Sequence, residues 1–429
     1  MSIRVLVFPS VNEPGLEILQ ALAKSNKVEL LGGSSFGSAY DPSRVLVQRH
    51  LECPALGEPD FRERFEALVR ENAVDLVFPT VDALVAEFAG WTNPPARFVA
   101  SPPDSANLVL SKRQTYERLR GHIPVPKIYD GEAPLPCYAK PDVGSGSRGG
   151  FLVETAQELD LARRRSLLMH EWLPGPEYTV DCLSGLDGGL MFQNVRVRGQ
   201  IARGIAVGTT GVRHPRIEES VRRIAREIPL RGPWFAQFKE AADGTPTLLE
   251  VNARVSGSMT LTRLSGVNIP LISVFLFMGY PITVPRRLEG VRINRFLRSV
   301  GEVGDFDWVI FDLDDTLVRK DGKADPDVVA RVYDLHNQGK RQLLLTKNVD
   351  PEGTLERLAL PRALFEAVRG VADKPAGVAA LLSDFSIDPA RCVVINDSVT
   401  ENLVIQARHP DLRVLLPDAV DLLQREKLR

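Results

Sequence analysis

Two groups of residues in this chain have the types and spacing that phosphate chemistry needs. The first begins in Tyr138-Ala-Lys-Pro-Asp-Val-Gly-Ser-Gly-Ser-Arg-Gly-Gly150, where a short strand delivers Lys140 to a loop holding Ser145, Gly146 and Ser147. Glycines let backbone N–H groups approach a phosphate, and a lysine adds a fixed positive charge. Farther on, Glu250 and Asn252 lie two apart in the strand-like run Leu249-Glu-Val-Asn-Ala-Arg254, so both side chains share one face. Oxygen ligands so placed suit Mg²⁺, and Arg254 continues the alternation toward a phosphoryl group.

The second group begins at Trp308-Val-Ile-Phe-Asp-Leu-Asp-Asp-Thr-Leu-Val318. Asp312 and Asp314 follow an apolar strand, at the end where α/β sheets bind ligands. One carboxylate can attack phosphorus, and a second two residues on can serve as acid and then base. Two anions repel a phosphate, so a cation and a lysine are required. Thr346 ends another strand, Lys374 precedes a helix, and Asp397 ends a third strand with Glu401 four residues later.

The elements that must position these groups are legible as apolar periodicity. Ile3–Phe8, Val28–Leu31 and Val74–Phe78 read as strands, with helices over Leu16–Leu22 and Phe61–Val69. That order predicts a parallel α/β layer over 1–105. Residues 106–290 read as two α+β lobes, a small one over 122–168 and a large one over 169–290. The large lobe's strands are expected at Tyr178–Leu183, Phe235–Lys239 and Thr247–Val251. Residues 291–304, with charges and glycines, read as a linker, and 305–429 as a separate Rossmann-like α/β domain.

Composition narrows the function classes. The chain has 429 residues, 44% hydrophobic and 25% charged, which is ordinary globular balance. A net charge of −2 builds no field for nucleic acid. The Arg163–Arg165 run, preceded by Glu158 and Asp160, reads as a solvated helix face. The four cysteines are far apart, which argues against a disulfide framework or zinc site and for a reducing cytoplasm. The longest apolar stretch, Ile269–Met278, is too short for a bilayer, and Ile3–Phe8 runs into a Pro/Asn/Gly loop as a strand would, unlike a signal peptide.

In combination, the first group resembles the ATP-grasp superfamily, in particular its carbamoyl-phosphate synthase large-subunit-like branch, over roughly 1–285. The parts come in that family's order: Ser111-Lys112 with Ile123-Pro-Val-Pro126, the Lys140 strand and loop, Glu171-Trp-Leu173, then Glu250-Val-Asn-Ala-Arg254-Val-Ser. Gly266-Val-Asn-Ile-Pro270 also resembles the segment that follows. The resemblance implies a three-lobed module that binds ATP and Mg²⁺, with Mn²⁺ as an alternative. Lys140 and Lys112 would meet phosphates, Glu171 and the Leu173 backbone adenine, and Glu177 the ribose. Gln237, Glu250 and Asn252 would hold the metal, and Arg254 would steady the transferring phosphoryl. Ala253 stands where proline is frequent in the family, and Gln237 is a weaker ligand than a carboxylate. The implied chemistry is phosphorylation of a small-molecule carboxylate by ATP and attack on the acyl phosphate by an amine or other nucleophile. Arg196, Arg198 and Arg203 are candidates to recognise that carboxylate.

The second group resembles the haloacid-dehalogenase-like (HAD) phosphatases over about 305–429. That resemblance implies Asp312 as nucleophile, Asp314 as acid/base, Thr346 and Lys374 on the phosphate, and Asp312, Asp314 and Asp397 around Mg²⁺. The gaps between motifs leave no room for a large cap domain. Thr346-Lys-Asn348 is similar to the Ser-Lys-Asn of HAD members that load glyceryl units onto carrier proteins, but Leu345 replaces their cysteine, which counts against thioester transfer. The combined expectation is a cytoplasmic bifunctional enzyme, a ligase fused to a phosphatase for a phosphorylated metabolite of the same pathway. The alternatives are a HAD domain that only senses such a metabolite, and a kinase outcome at the first site. The partners expected are small molecules, without nucleic acid or membrane, and a homo-oligomer is compatible.

Overall fold

The computed structural model describes residues 2–423 apart from 36, 38–40, 48, 145–147, 203–204, 297–300 and 302. The chain divides into two compact units, Met1–Leu297 and Arg298–Lys427.

The first unit opens with a five-stranded parallel sheet, spatial order Arg49–Glu52, Val28–Ser34, Ile3–Phe8, Leu76–Pro79, Arg97–Phe98. Its central strands are buried almost throughout, because helices cover both faces. Phe61, Phe65, Phe88, Trp91 and Phe98 form the aromatic filling on one side. The order turns back between Ile3–Phe8 and Leu76–Pro79, which is the switch point of an open α/β sheet.

Two antiparallel sheets follow. A four-stranded one has the order Ile128–Tyr129, Leu168–Glu171, Cys137–Lys140, Phe151–Val153. A six-stranded one has the order Pro246–Asn252, Gly232–Glu240, Glu177–Ser184, Leu190–Ala202, Ile205–Gly211, Arg292–Asn294. The alternation predicted for the large lobe is present: Ala236 and Phe238 join a core with Ile217, Val221 and Ile224 of the Pro215–Glu227 helix, and their neighbours Gln237 and Lys239 line a cleft.

Two boundaries differ from expectation. Leu168–Glu171 pairs with Cys137–Lys140, so it belongs to the small lobe although the large lobe was placed from 169. Arg292–Asn294 pairs with Gly208–Thr210, so the first residues of the expected linker are an edge strand of the large sheet. In both cases the pairing partner is remote in sequence.

The second unit holds one parallel sheet, order Ala367–Gly370, Arg341–Thr346, Trp308–Phe311, Cys392–Ile395, Arg413–Leu415. Trp308–Phe311 and Cys392–Ile395 are buried at every position, consistent with their uninterrupted apolar runs. Helices Pro326–Asn337 and Lys374–Asp384 pack against Arg341–Thr346, the second starting at Lys374, where the sequence places a helix.

Candidate functional sites

A cavity of about 210 Å³ in the first unit is lined by Lys112, Tyr138, Lys140, His170, Trp172, Leu173, Glu177, Arg198, Gln237, Lys239 and Glu250, among others. A bulge helps to build it. Gln237 pairs with Glu250 but Phe238 pairs with Leu248, so Leu249 is an extra residue. The Leu249 carbonyl accepts from the Tyr116 hydroxyl at 2.5 Å and from Lys140 Nζ at 3.1 Å. Lys140 also donates to the Tyr116 hydroxyl at 2.9 Å. Burial pushes the Lys140 ammonium down to about 8, partly opposed by Glu250.

Lys112 Nζ donates to the carbonyls of Asp142 at 3.1 Å and Gly144 at 2.9 Å, bracing the start of the Gly/Ser loop. Ser111 caps the Lys112–Leu119 helix through Gln114 N and donates to Asp142 Oδ2 at 2.6 Å, so one hydroxyl both starts the helix and holds the loop. Ser145, Gly146, Ser147 and Arg203 lie outside the described residues.

Glu250 and Gln237 face each other across paired strands, and Asn252 is buried two residues on, its Nδ2 without a hydrogen-bond partner. One carboxylate and two amide oxygens suit a hard divalent cation that takes its remaining ligands from phosphate. Glu177 and Arg198 form an ion pair within the lining.

The structure gives four of the expected residues partners inside the protein. The Glu171 carboxylate accepts from Lys127 N at 3.0 Å, and it is the neighbours His170, Trp172 and Leu173 that line the cleft. Arg196 is fully buried and bonded to Asp181 at 2.9 and 3.2 Å and to Ser256 at 3.1 Å, so its charge is spent inside the lobe. Arg198 is held by Glu177, an arrangement that spacing alone does not reveal. Arg254 reaches the end of the first sheet and pairs with both carboxylate oxygens of Asp82 at 3.0 Å. The loop after Arg254 runs close to the first sheet, where a Cβ on Gly257 would come within 2.9 Å of Glu13 Cβ.

In the second unit, Asp312 is buried at the end of Trp308–Phe311, its Oδ2 2.8 Å from Lys374 Nζ. Burial pushes the Asp312 carboxyl up to about 6 against the pull of Lys374, and neighbouring Asp397 raises it further. Lys374 also donates to Asn396 Oδ1 at 2.9 Å and lies 3.4 Å from Glu401. Burial works against the Glu401 charge, but Lys347, Lys374 and Asn396 together hold the carboxyl below its ordinary value. Asp314 accepts two bonds from Asn348 Nδ2 at 3.0 and 3.1 Å, and Thr346 Oγ1 accepts from Asn348 N at 3.0 Å. Asp312 Oδ1 is buried without a hydrogen-bond partner of good geometry, and with Asp397 beside it the donor set fits a divalent cation. Among the described residues no three His, Cys, Asp or Glu side chains are grouped closely enough to hold a metal ion by themselves, so a cation at either site would draw the rest of its ligands from amide, backbone, phosphate or water oxygens.

Comparison with known proteins bears on the first unit. Residues 163–297 match the family described as "ATP-grasp in the biosynthetic pathway with Ter operon". A D-alanine–D-alanine ligase of Anaeromyxobacter dehalogenans (strain 2CP-C) is 31% identical over 176 residues, 37% of this chain and 55% of that protein. The chain thus spans about half the length of the curated relatives it matches. Among solved structures, biotin carboxylase of Campylobacter jejuni superposes with a TM-score of 0.53 at 16% identity, covering 65% of this chain and 72% of that one. N5-carboxyaminoimidazole synthetase of Staphylococcus aureus, complexed with ADP, gives 0.54 at 12%, covering 66% and 78%. The first unit has the ATP-grasp fold. In this fold the sequence reading had located Lys112, Lys140, Leu173, Glu177, Gln237 and Glu250, all of which line the cleft. It passed over Tyr138, His170, Trp172 and Lys239. Tyr138/Lys140 and Gln237/Lys239 each share a strand face, so alternation could have flagged Tyr138 and Lys239. Among the described residues no helix is long and apolar enough to cross a membrane.

Proposed function

We propose that the first unit is an ATP- and Mg²⁺-dependent ligase that joins a small-molecule carboxylate to an amine through an acyl phosphate. The observation that carries this reading is Lys140, a half-buried cation hydrogen-bonded to neutral oxygens, beside Glu250 in the cleft of an ATP-grasp fold. Lys140 and Lys112 neutralise phosphate oxygens, and Leu173 meets the base. Gln237, Glu250 and Asn252 would hold Mg²⁺, which when bound spreads the charge of the transferring phosphoryl. Arg254, released from Asp82, turns its charge to the acyl phosphate. Incubation of the full chain with ATP, Mg²⁺, a panel of carboxylic acids and hydroxylamine is the test. Hydroxamate and ADP should form in equal amounts with one class of acid. ADP release without hydroxamate for every acid would sink the ligase reading.

The second unit is read as a HAD-type phosphatase acting on a phosphorylated metabolite of the same pathway. Its support is Asp312 at a parallel strand end, with Lys374, Asp397 and Thr346 around it. Asp312 attacks phosphorus to give an aspartyl phosphate, and Asp314 protonates the leaving oxygen and then activates water. Lys374 and Thr346 hold the phosphate, and Asp312, Asp314 and Asp397 would hold the Mg²⁺ that offsets their charge.

A further inference from the structure

The Thr346-Lys-Asn348 turn closes a strand of the second unit, and each of its side chains grips a different group. Thr346 Oγ1 accepts from Asn348 N at 3.0 Å, and Lys347 pairs with Glu401. Asn348 Nδ2 donates to both carboxylate oxygens of Asp314, at 3.0 and 3.1 Å. Asp314 is exposed and precedes Asp315, whose φ of 55° turns the chain sharply. An exposed aspartate on such a turn samples several rotamers, and fixing one costs side-chain entropy. Among the described residues, Asn348 is the one hydrogen-bond partner of the Asp314 carboxylate.

Asn348 is itself held. Its Oδ1 accepts from Asp350 N at 2.9 Å, and Asp350 caps the Pro351–Arg357 helix through Gly353 N. A backbone N–H only donates, so Oδ1 faces Asp350 and Nδ2 is left for Asp314. The chain of bonds therefore runs from a helix start to one carboxylate, and it fixes which end of the amide that carboxylate meets.

We propose that Asn348 is a positioning residue that aims Asp314 for both of its proton transfers. This rests on the phosphatase reading of the second unit. In the first step Asp312 bonds to phosphorus, the bond to the ester oxygen breaks, and Asp314 gives that oxygen its proton. In the second, water bonds to phosphorus, the bond to Asp312 breaks, and Asp314 takes a proton from the water. Protonated or not, Asp314 keeps an oxygen able to accept from Asn348, so one hydrogen bond serves both steps.

Kinetics of the full chain with Mg²⁺ test it, on p-nitrophenyl phosphate and on the fastest of phosphoethanolamine, O-phosphoserine and glycerol phosphate. An alkoxide needs a proton to leave, and nitrophenolate does not. The ratio kcat/KM reports expulsion of the leaving group, and a burst of nitrophenolate reports slow hydrolysis of the aspartyl phosphate. Asn348→Ala should lower kcat/KM about tenfold or more for the alkyl ester but less than about threefold for p-nitrophenyl phosphate. It should also enlarge the nitrophenolate burst, because the base step is slowed. Asn348→Asp keeps the shape and can still accept from Asp350 N, but it sets a carboxylate against Asp314, so its loss on the alkyl ester should be at least as large. Equal losses on both esters in both variants overturn the proposal, because they mark a loop defect. No loss on the alkyl ester overturns it too. So does an unsubstituted chain that cleaves p-nitrophenyl phosphate but no alkyl ester, since Asp314 is then no acid. If it cleaves neither kind, the phosphatase reading fails, and the role of Asn348 with it.

Discussion

Lys140 in the first unit and Lys374 in the second both stand at proposed phosphate sites, but they are held in opposite ways. Lys140 is bonded to the Tyr116 hydroxyl and the Leu249 carbonyl, both neutral. Lys374 lies 2.8 Å from the Asp312 carboxylate and 3.4 Å from Glu401. Burying a cation without a bonded counter-ion is costly, and the ring of neutral oxygens leaves Lys140 pushed down to about 8. That cost is repaid when an anion arrives, so Lys140 marks a site waiting for a polyanionic ligand. Lys374 is neutralised inside the protein, its charge shared with the Asp312 carboxylate. Under the proposed reading the first arrangement suits capture of a nucleotide, and the second suits turnover of a phosphate ester.

The sharpest way to break the comparison is Asp312→Asn. It should reduce hydrolysis of p-nitrophenyl phosphate by the full chain about 10³-fold or more, because the amide cannot attack phosphorus. ATP-dependent hydroxamate formation should be unchanged, and loss of both activities would show that the sites are not separable. Lys140→Met comes next, with kcat/KM for ATP about 10²-fold lower and phosphatase turnover intact. Comparable losses in both assays would instead point to a fold defect. The smallest effect is a pH dependence. Lys140 is cationic below about 8 and neutral above it, so ATP affinity should weaken by up to about tenfold from pH 7 to pH 9. Lys140→Met should flatten that profile, and an unchanged slope would assign it to another group.

The legible parts of the fold were those whose signal is local. Trp308–Phe311 reads as a strand because burial on both faces demands an unbroken apolar run. Glu250 and Gln237 were placed together by the family resemblance, and the structure pairs them across neighbouring strands. The hairpin of Leu190–Ala202 and Ile205–Gly211 was not read, since its arginines and glycines hide the alternation. The Arg254–Asp82 pair spans 172 residues of chain, and no spacing rule reaches that far. His170 carries no signal in residue spacing, because its tautomer depends on the hydrogen bond it makes to the Glu171 carbonyl.

Residue types and short-range spacing therefore single out the candidate groups of each unit: lysine, glycine and Glu-x-Asn on one side, paired aspartates on the other. They do so because ligand geometry is written in strand and turn periodicity. Which charges stay available is settled only by packing. Arg196 is spent on Asp181, Arg254 rests on Asp82, and Lys140 is left with neutral oxygens. The reason is electrostatic. In a low-dielectric interior a charge is defined by the few atoms that touch it, and folding alone chooses those atoms.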